Sequence, residues 1–128
     1  MVVLINGIDI SSLLKSKDVF ELFRYDMCTD RDKAGAIRAF EFCFEMAWKT
    51  MKRILEKRGV TTNSPRDAIR EAAKNNLISS PTQWFEFIDM RNVAYHTYDQ
   101  ENVEKVLSIF DTFSHNVDEL SFNLKQLE

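Results

Sequence analysis

The sequence predicts an all-α protein, an antiparallel bundle of four to five helices. Three observations carry that expectation. The 128 residues include only three glycines and two prolines, too few turn formers for an all-β fold. Two long stretches repeat apolar residues at alternating spacings of three and four. Helix boundaries are also marked clearly by capping residues.

The elements follow in chain order. Residues 1–9 are ambiguous between a short extended arm and disorder. A first helical segment, roughly 10–27, carries Leu13, Leu14, Val19, Phe20, Leu22 and Phe23, a less regular apolar set. Thr29-Asp30-Arg31-Asp32 resembles a weak N-cap for a second segment, 31–58. There Ile37, Phe40, Phe44, Ala47, Met51 and Ile54 form a seam suited to antiparallel packing. Lys57-Arg58 and then Gly59 read as a basic last turn with a C′ glycine. Ser64-Pro65-Arg66-Asp67 and Ser80-Pro81-Thr82-Gln83 each place a serine N-cap before a proline, with an acceptor at the third helical position. They open segments 65–77 and 81–97. Asp99-Gln100-Glu101 starts a last segment, 100–127. It carries Val103, Val106, Phe110, Phe113, Val117, Leu120, Leu124 and Leu127 without interruption.

The second segment holds more apolar surface than one seam needs. Ala39, Cys43, Met46 and Trp48 widen it, while Phe42 stands among Arg38, Glu45, Lys49 and Lys52. A broad stripe in a small helical protein implies a second buried face, most simply that of a homodimer.

Composition narrows the function. The chain is 45% hydrophobic and 29% charged, which suits one folded domain over residues 1–128. A net charge of −3 and a pI near 5.4 argue against broad nonspecific nucleic-acid binding and leave room for a small basic cleft. No stretch approaches a membrane span, and the opening MVVLINGIDI does not read as a signal peptide. The expected location is cytoplasmic. Cys28 and Cys43 lie outside any CxxC pairing and read as buried cytosolic thiols. Histidine and cysteine spacings match no zinc or iron site, and there is no glycine-rich phosphate loop and no GxSxG. No metal and no cofactor is expected.

The chemistry concentrates at Arg91-Asn92-Val93-Ala94-Tyr95-His96-Thr97-Tyr98, in a chain with only two histidines. If the helix continues that far, Arg91 and Tyr98 fall nearly on one line, while Arg91 and His96 differ by about 140° and can border one cleft. Asn92 and His96 are neighbours, and Asp89 lies on the same side as His96. Carbonyl dipoles at such a helix end favour a cation. An arginine can grip a phosphate with two prongs, and a histidine can move a proton on a phosphodiester. Asn92 can orient His96 or bond a phosphate oxygen. On spacing alone, packing tyrosines and a surface histidine are the commoner explanation of the string. His115 lies off the apolar seam and reads as exposed.

The pattern Arg-Asn-x-x-x-His-x-Tyr-Asp, here Arg91 to Asp99, resembles the signature of the HEPN superfamily. Within it the chain is similar to the nucleotidyltransferase substrate-binding proteins. Arg38-Ala39-Phe40-Glu41-Phe42-Cys43-Phe44-Glu45-Met46-Ala47-Trp48-Lys49 resembles the aromatic helix of that family, and Ser64 to Ala72 resembles its third helix. The resemblance implies an up-and-down helical bundle, usually a homodimer, and a cognate small nucleotidyltransferase as partner, commonly in a toxin–antitoxin arrangement. In active members the arginine and histidine of the motif cut RNA without metal, so it assigns catalysis to Arg91 and His96, with Asn92 as the polar residue beside the arginine. In some pairs the partner transfers AMP to the motif tyrosine, here Tyr98. Three readings result: a metal-independent ribonuclease silenced by AMPylation, a non-catalytic subunit that holds a nucleotide or other substrate, and an assembly scaffold.

Overall fold

The computed structural model describes residues 2–127. Among them the order is β1 (Leu4–Ile5), β2 (Ile8–Asp9), α1 (Ser11–Arg24), α2 (Asp30–Lys57), α3 (Pro65–Lys74), α4 (Pro81–Ala94), α5 (Gln100–Leu107) and α6 (Phe110–Lys125). The fold is an all-α bundle with one small antiparallel hairpin, in which Leu4 pairs with Asp9 and Ile5 with Ile8.

The hairpin answers the ambiguity at the start of the chain. Asn6 and Gly7 both have positive φ, 51° and 81°. A two-residue turn of this kind suits the twist of the flanking strands, and Asn-Gly favours it. The turn brings Ile5 and Ile10 into the core.

Capping follows the sequence closely. Ser64 accepts from the Asp67 backbone N–H at 3.1 Å, Ser80 from Gln83 at 3.4 Å, and Asp99 from Glu101 at 2.9 Å. The start expected to be weaker, at Thr29, closes a full reciprocal box with Asp32. Gly59, at φ 82°, ends α2 as expected: Val60 N–H reaches Leu55 C=O, and Gly59 N–H reaches Glu56 C=O.

Three helices are shorter than the apolar pattern suggested. α1 ends at Arg24. α3 stops at Lys74 because Asn76, at φ 62°, takes the left-handed position, and Leu77 N–H bonds back to Ala72. α4 ends at Ala94, as discussed below. The last segment is two helices: Ile109 N–H bonds to Val106, three residues back, and the Ser108 hydroxyl donates to the Lys105 carbonyl at 2.6 Å.

The core is aromatic at its centre. Phe20, Phe40, Phe44, Trp84, Phe87 and Phe113 are fully buried. Phe113 meets Phe20, Phe40 and Phe87 edge-on at centroid distances of 5.2, 4.8 and 5.2 Å, the arrangement ring quadrupoles favour. The α2 seam from Ile37 to Ile54 is buried throughout. So is the α6 stripe from Phe110 to Leu124.

A charged seam joins α1 to α6. Lys17 reaches Asp118 at 2.7 Å and Glu21 at 3.1 Å, and Arg24 bridges Glu21 and Asp111. Cys43 is buried, and burial pushes its thiol up to about 12. Cys28 is exposed, contrary to the expectation of a buried thiol, because it sits in the open turn between α1 and α2.

Candidate functional site

Arg91 sits in the last turn of α4 with its side chain 19% exposed. Trp84, Phe87 and Ile88 bury the inner face of that helix, and Ala94 is buried with them. That leaves Arg91 at the edge of the core. Its Nη1 donates to Glu45 Oε1 of α2 at 2.8 Å, and its guanidinium lies over the Phe44 ring, 5.4 Å from the centroid. Nε is enclosed without a hydrogen bond, and among the described residues Nη2 makes none either.

Glu45 is a site residue that the sequence reading left on a charged face without a role. It also accepts from Trp48 Nε1 at 3.1 Å and lies 3.8 Å from Lys49 Nζ. The signal was its place among the aromatics of α2: Phe44 and Trp48 flank it, one supplying a face for Arg91 and the other a donor for the carboxylate.

These groups wall a cleft of about 510 Å³ lined by Val19, Phe23, Arg38, Phe42, Arg91 and Tyr95, together with Glu41 and Glu45. Two guanidinium groups and two carboxylates therefore share a space floored by apolar side chains. Burial raises the pKa of Glu41, against the pull of Arg38 and Arg91. Gly35 makes room for the α1 wall, because a Cβ there would come within 2.9 Å of the Phe23 ring.

His96 and Tyr98 lie beyond the helix. After Ala94 the N–H groups of Tyr95 and His96 bond three residues back, to Asn92 and Val93. Thr97 Oγ1 donates to the Ala94 carbonyl, and Asn102 Nδ2 to that of His96 at 2.8 Å. Asp99 must be extended to cap α5, so the chain turns before it. The alignment of Tyr98 with Arg91 depended on a longer helix and does not arise. His96 is exposed, its ring edge-on to Tyr98 at 6.3 Å. Tyr98 is 90% exposed and borders a second groove of about 230 Å³ with Asp30, Lys33 and Val103. Asn92 and Asp89 are exposed on α4. Within one chain, then, Arg91 and Tyr95 line the cleft, whereas Asn92, His96 and Tyr98 are not among its walls.

Metal-type ligands gather elsewhere. Asp26, Cys28 and Asp32 bring their ligand atoms within 4.8 Å of one another. Asp32 there is occupied in capping α2, accepting from the Thr29 and Cys28 N–H groups. No helix of the described residues is long and apolar enough to cross a membrane.

With the fold and site in view, the chain can be set beside known proteins. The family described as nucleotidyltransferase substrate binding protein like matches residues 10–126. The chain belongs to this family. Over 99 residues the chain is 40% identical to the probable ribonuclease HepT of Haemophilus influenzae, a match covering 73% of this chain and 66% of that protein, just under two thirds of its length. A solved H. influenzae structure, described as revealing the fold of a substrate-binding domain of a nucleotidyltransferase, superposes with a TM-score of 0.81 at 30% identity and covers 91% of this chain and 99% of its own. The tri-AMPylated HEPN toxin of Shewanella oneidensis, solved with its MNT antitoxin, shares the fold at 18% identity, with a TM-score of 0.68 over 91% of this chain and 90% of that one.

Proposed function

We propose that this member of the nucleotidyltransferase substrate-binding family is a metal-independent endoribonuclease, the toxin of a pair whose nucleotidyltransferase silences it by AMPylation in the cytoplasm. The observation that carries the reading is Arg91, fixed by Glu45 at the wall of a cleft and followed five residues later by an exposed histidine. The likeness to a probable ribonuclease supports it.

In this mechanism a 2′-hydroxyl of RNA attacks the adjacent phosphorus, and the 5′-oxygen of the next nucleotide leaves. His96 takes the proton of the attacking hydroxyl or supplies one to the leaving oxygen. Arg91 holds the phosphate and offsets the charge that builds on it. One chain carries a single histidine in this motif, so acid and base come from two copies in a homodimer. The exposed Val19, Phe23, Phe42 and Tyr95 around the cleft supply the apolar surface such a dimer would cover.

Tyr98, at 90% exposure, is open to a modifying partner. Its hydroxyl would attack the α-phosphate of ATP held by the nucleotidyltransferase, giving a phosphodiester to AMP and releasing pyrophosphate. The added charge and bulk beside His96 would obstruct RNA.

The test is cleavage of RNA in excess chelator by wild type and His96→Ala. Cleavage by wild type and its loss in the variant are expected. Identical products from the two would end the reading. A second reading, a non-catalytic subunit holding a nucleotide for its partner, is favoured by the cleft volume of about 510 Å³, within the range of small-molecule sites. It calls for saturable nucleotide binding weakened by Arg91→Ala, and no effect of the chain on RNA.

A further inference from the structure

We infer that the C-terminal half of α2 is a phosphate-tracking ridge, Lys49, Arg53 and Lys57 with Lys52 beside them, that holds the backbone of single-stranded RNA leading to the Arg91 cleft. The inference rests on the ribonuclease reading and adds a binding surface to it.

Residues 49–58 carry five cations and one carboxylate, in a chain whose net charge is −3. Lys49, Arg53 and Lys57 are spaced by four, so they share one side of the helix and climb it in steps of about 6 Å. Lys57 suits the last turn of α2, but like charges at this spacing oppose each other, so helix stability does not account for Lys49 and Arg53.

Nor does ion pairing. Lys17, Arg24, Lys33, Arg70, Lys74 and Arg91 each have a carboxylate within 3.5 Å. Among the described residues Lys52, Arg53 and Lys57 form no ion pair, and Lys49 has only Glu45 at 3.8 Å. Asp9 of the hairpin lies within Coulombic reach of Arg53 without bonding to it. Glu56 is the other carboxylate beside the ridge and leaves the cations in excess.

Two features point to a nucleic-acid backbone as the occupant. The ridge is continuous with the cleft, because Lys49 touches Glu45 and Glu45 holds Arg91. It also lacks large exposed apolar side chains: among the described residues these lie on the hairpin, α1, the Arg91 cleft, the Tyr98 turn and α6. A protein interface needs an apolar centre, whereas phosphate binding needs only charge placed along a track.

The test measures anisotropy of a fluorescein-labelled 2′-O-methyl oligouridine, which lacks the attacking hydroxyl, against full-length protein over a salt series. Arg53→Gln/Lys57→Gln is expected to weaken binding about tenfold and to reduce the slope of log K against log salt by about 1.4, about 0.7 for each single-strand phosphate left without its cation. Lys15→Gln/Lys125→Gln, the same charge change at exposed positions elsewhere, is expected to keep the wild-type slope. An active wild type whose ridge variant binds with unchanged affinity and slope would overturn the ridge and leave the ribonuclease reading standing. Loss of nucleotidyltransferase binding alone, with RNA binding intact, would reassign the ridge to the protein partner. A wild type that neither binds nor cleaves RNA would remove the ridge together with the reading beneath it.

Discussion

Glu45 Oε1 and Arg91 Nη1 stand 2.8 Å apart and join α2 to α4 across the wall of the cleft. The carboxylate is held from its own helix by Trp48 Nε1 and approached by Lys49. The guanidinium lies over Phe44. A long, mobile side chain is thereby confined before any ligand arrives, which lowers the ordering cost of binding a phosphate.

Removing the carboxylate tests that confinement. Glu45→Ala is expected to cost about 1–3 kcal/mol, because it leaves a partly buried cation without its partner. The singles and the double with Arg91→Ala should show a coupling energy of at least about 0.5 kcal/mol in urea unfolding. Strict additivity would mean that the pair does nothing for the folded state.

Much of this architecture was legible in the chain. Ser64, Ser80, Asp99 and Gly59 announced their helix ends because each cap needs a particular side chain or a positive φ at one position. The seams on α2 and α6 were legible because burial on one face imposes the helical period. The misses have local causes. Asn76 takes positive φ without being glycine, and the Asn6-Gly7 turn joins strands of two residues each, too short for alternation to mark. The end of α4 is set by Thr97 and Asn102 capturing carbonyls, interactions that apolar periodicity does not encode. For the same reason the helical angles relating His96 and Tyr98 to Arg91 held only for a longer helix, and α4 ends at Ala94. Glu45 was hidden because an exposed-looking charge on a helix gives no sign of a partner 46 residues away.

The two thiols should differ sharply in reactivity. Burial raises the Cys43 thiol to about 12 and closes off access, and the thiolate is the form that alkylates. Native protein with iodoacetamide at about pH 8 should gain one adduct at Cys28, and unfolded protein two. Modification of Cys43 in the native state at the rate of Cys28 would contradict the packing of α2 described above.

Acid should weaken the seam between α1 and α6. Burial alone would raise the Glu21 carboxyl, but bonds from Ser114, Lys17 and Arg24 outweigh it and hold it below the ordinary carboxylate value. A depressed folded-state pKa adds stability above the unfolded value and loses it as pH falls through the folded one. Glu21→Gln should therefore be less stable than wild type at neutral pH, and the gap should close in acid. Urea midpoints of both proteins across the carboxylate range check this. A gap that stays constant with pH would show that the bonds to Glu21 do not depend on its charge.

Phe113 offers the most severe test of the core. It is fully buried on α6 and meets Phe20 of α1, Phe40 of α2, and Trp84 and Phe87 of α4 at 4.8–6.2 Å between centroids. Four rings from three helices converge on it, so truncation leaves a cavity that no single helix can close by shifting. Phe113→Ala is expected to cost about 3–5 kcal/mol. Phe122 is on the same helix but 63% exposed, and its change to alanine should fall within about 0.5 kcal/mol. Because the whole stability of a domain this size is about 5–15 kcal/mol, the first variant should lie close to unfolding and the second should be almost unaffected. Urea midpoints with unchanged slope separate them. Equal losses at the two sites would mean that α6 does not bury the face assigned to it.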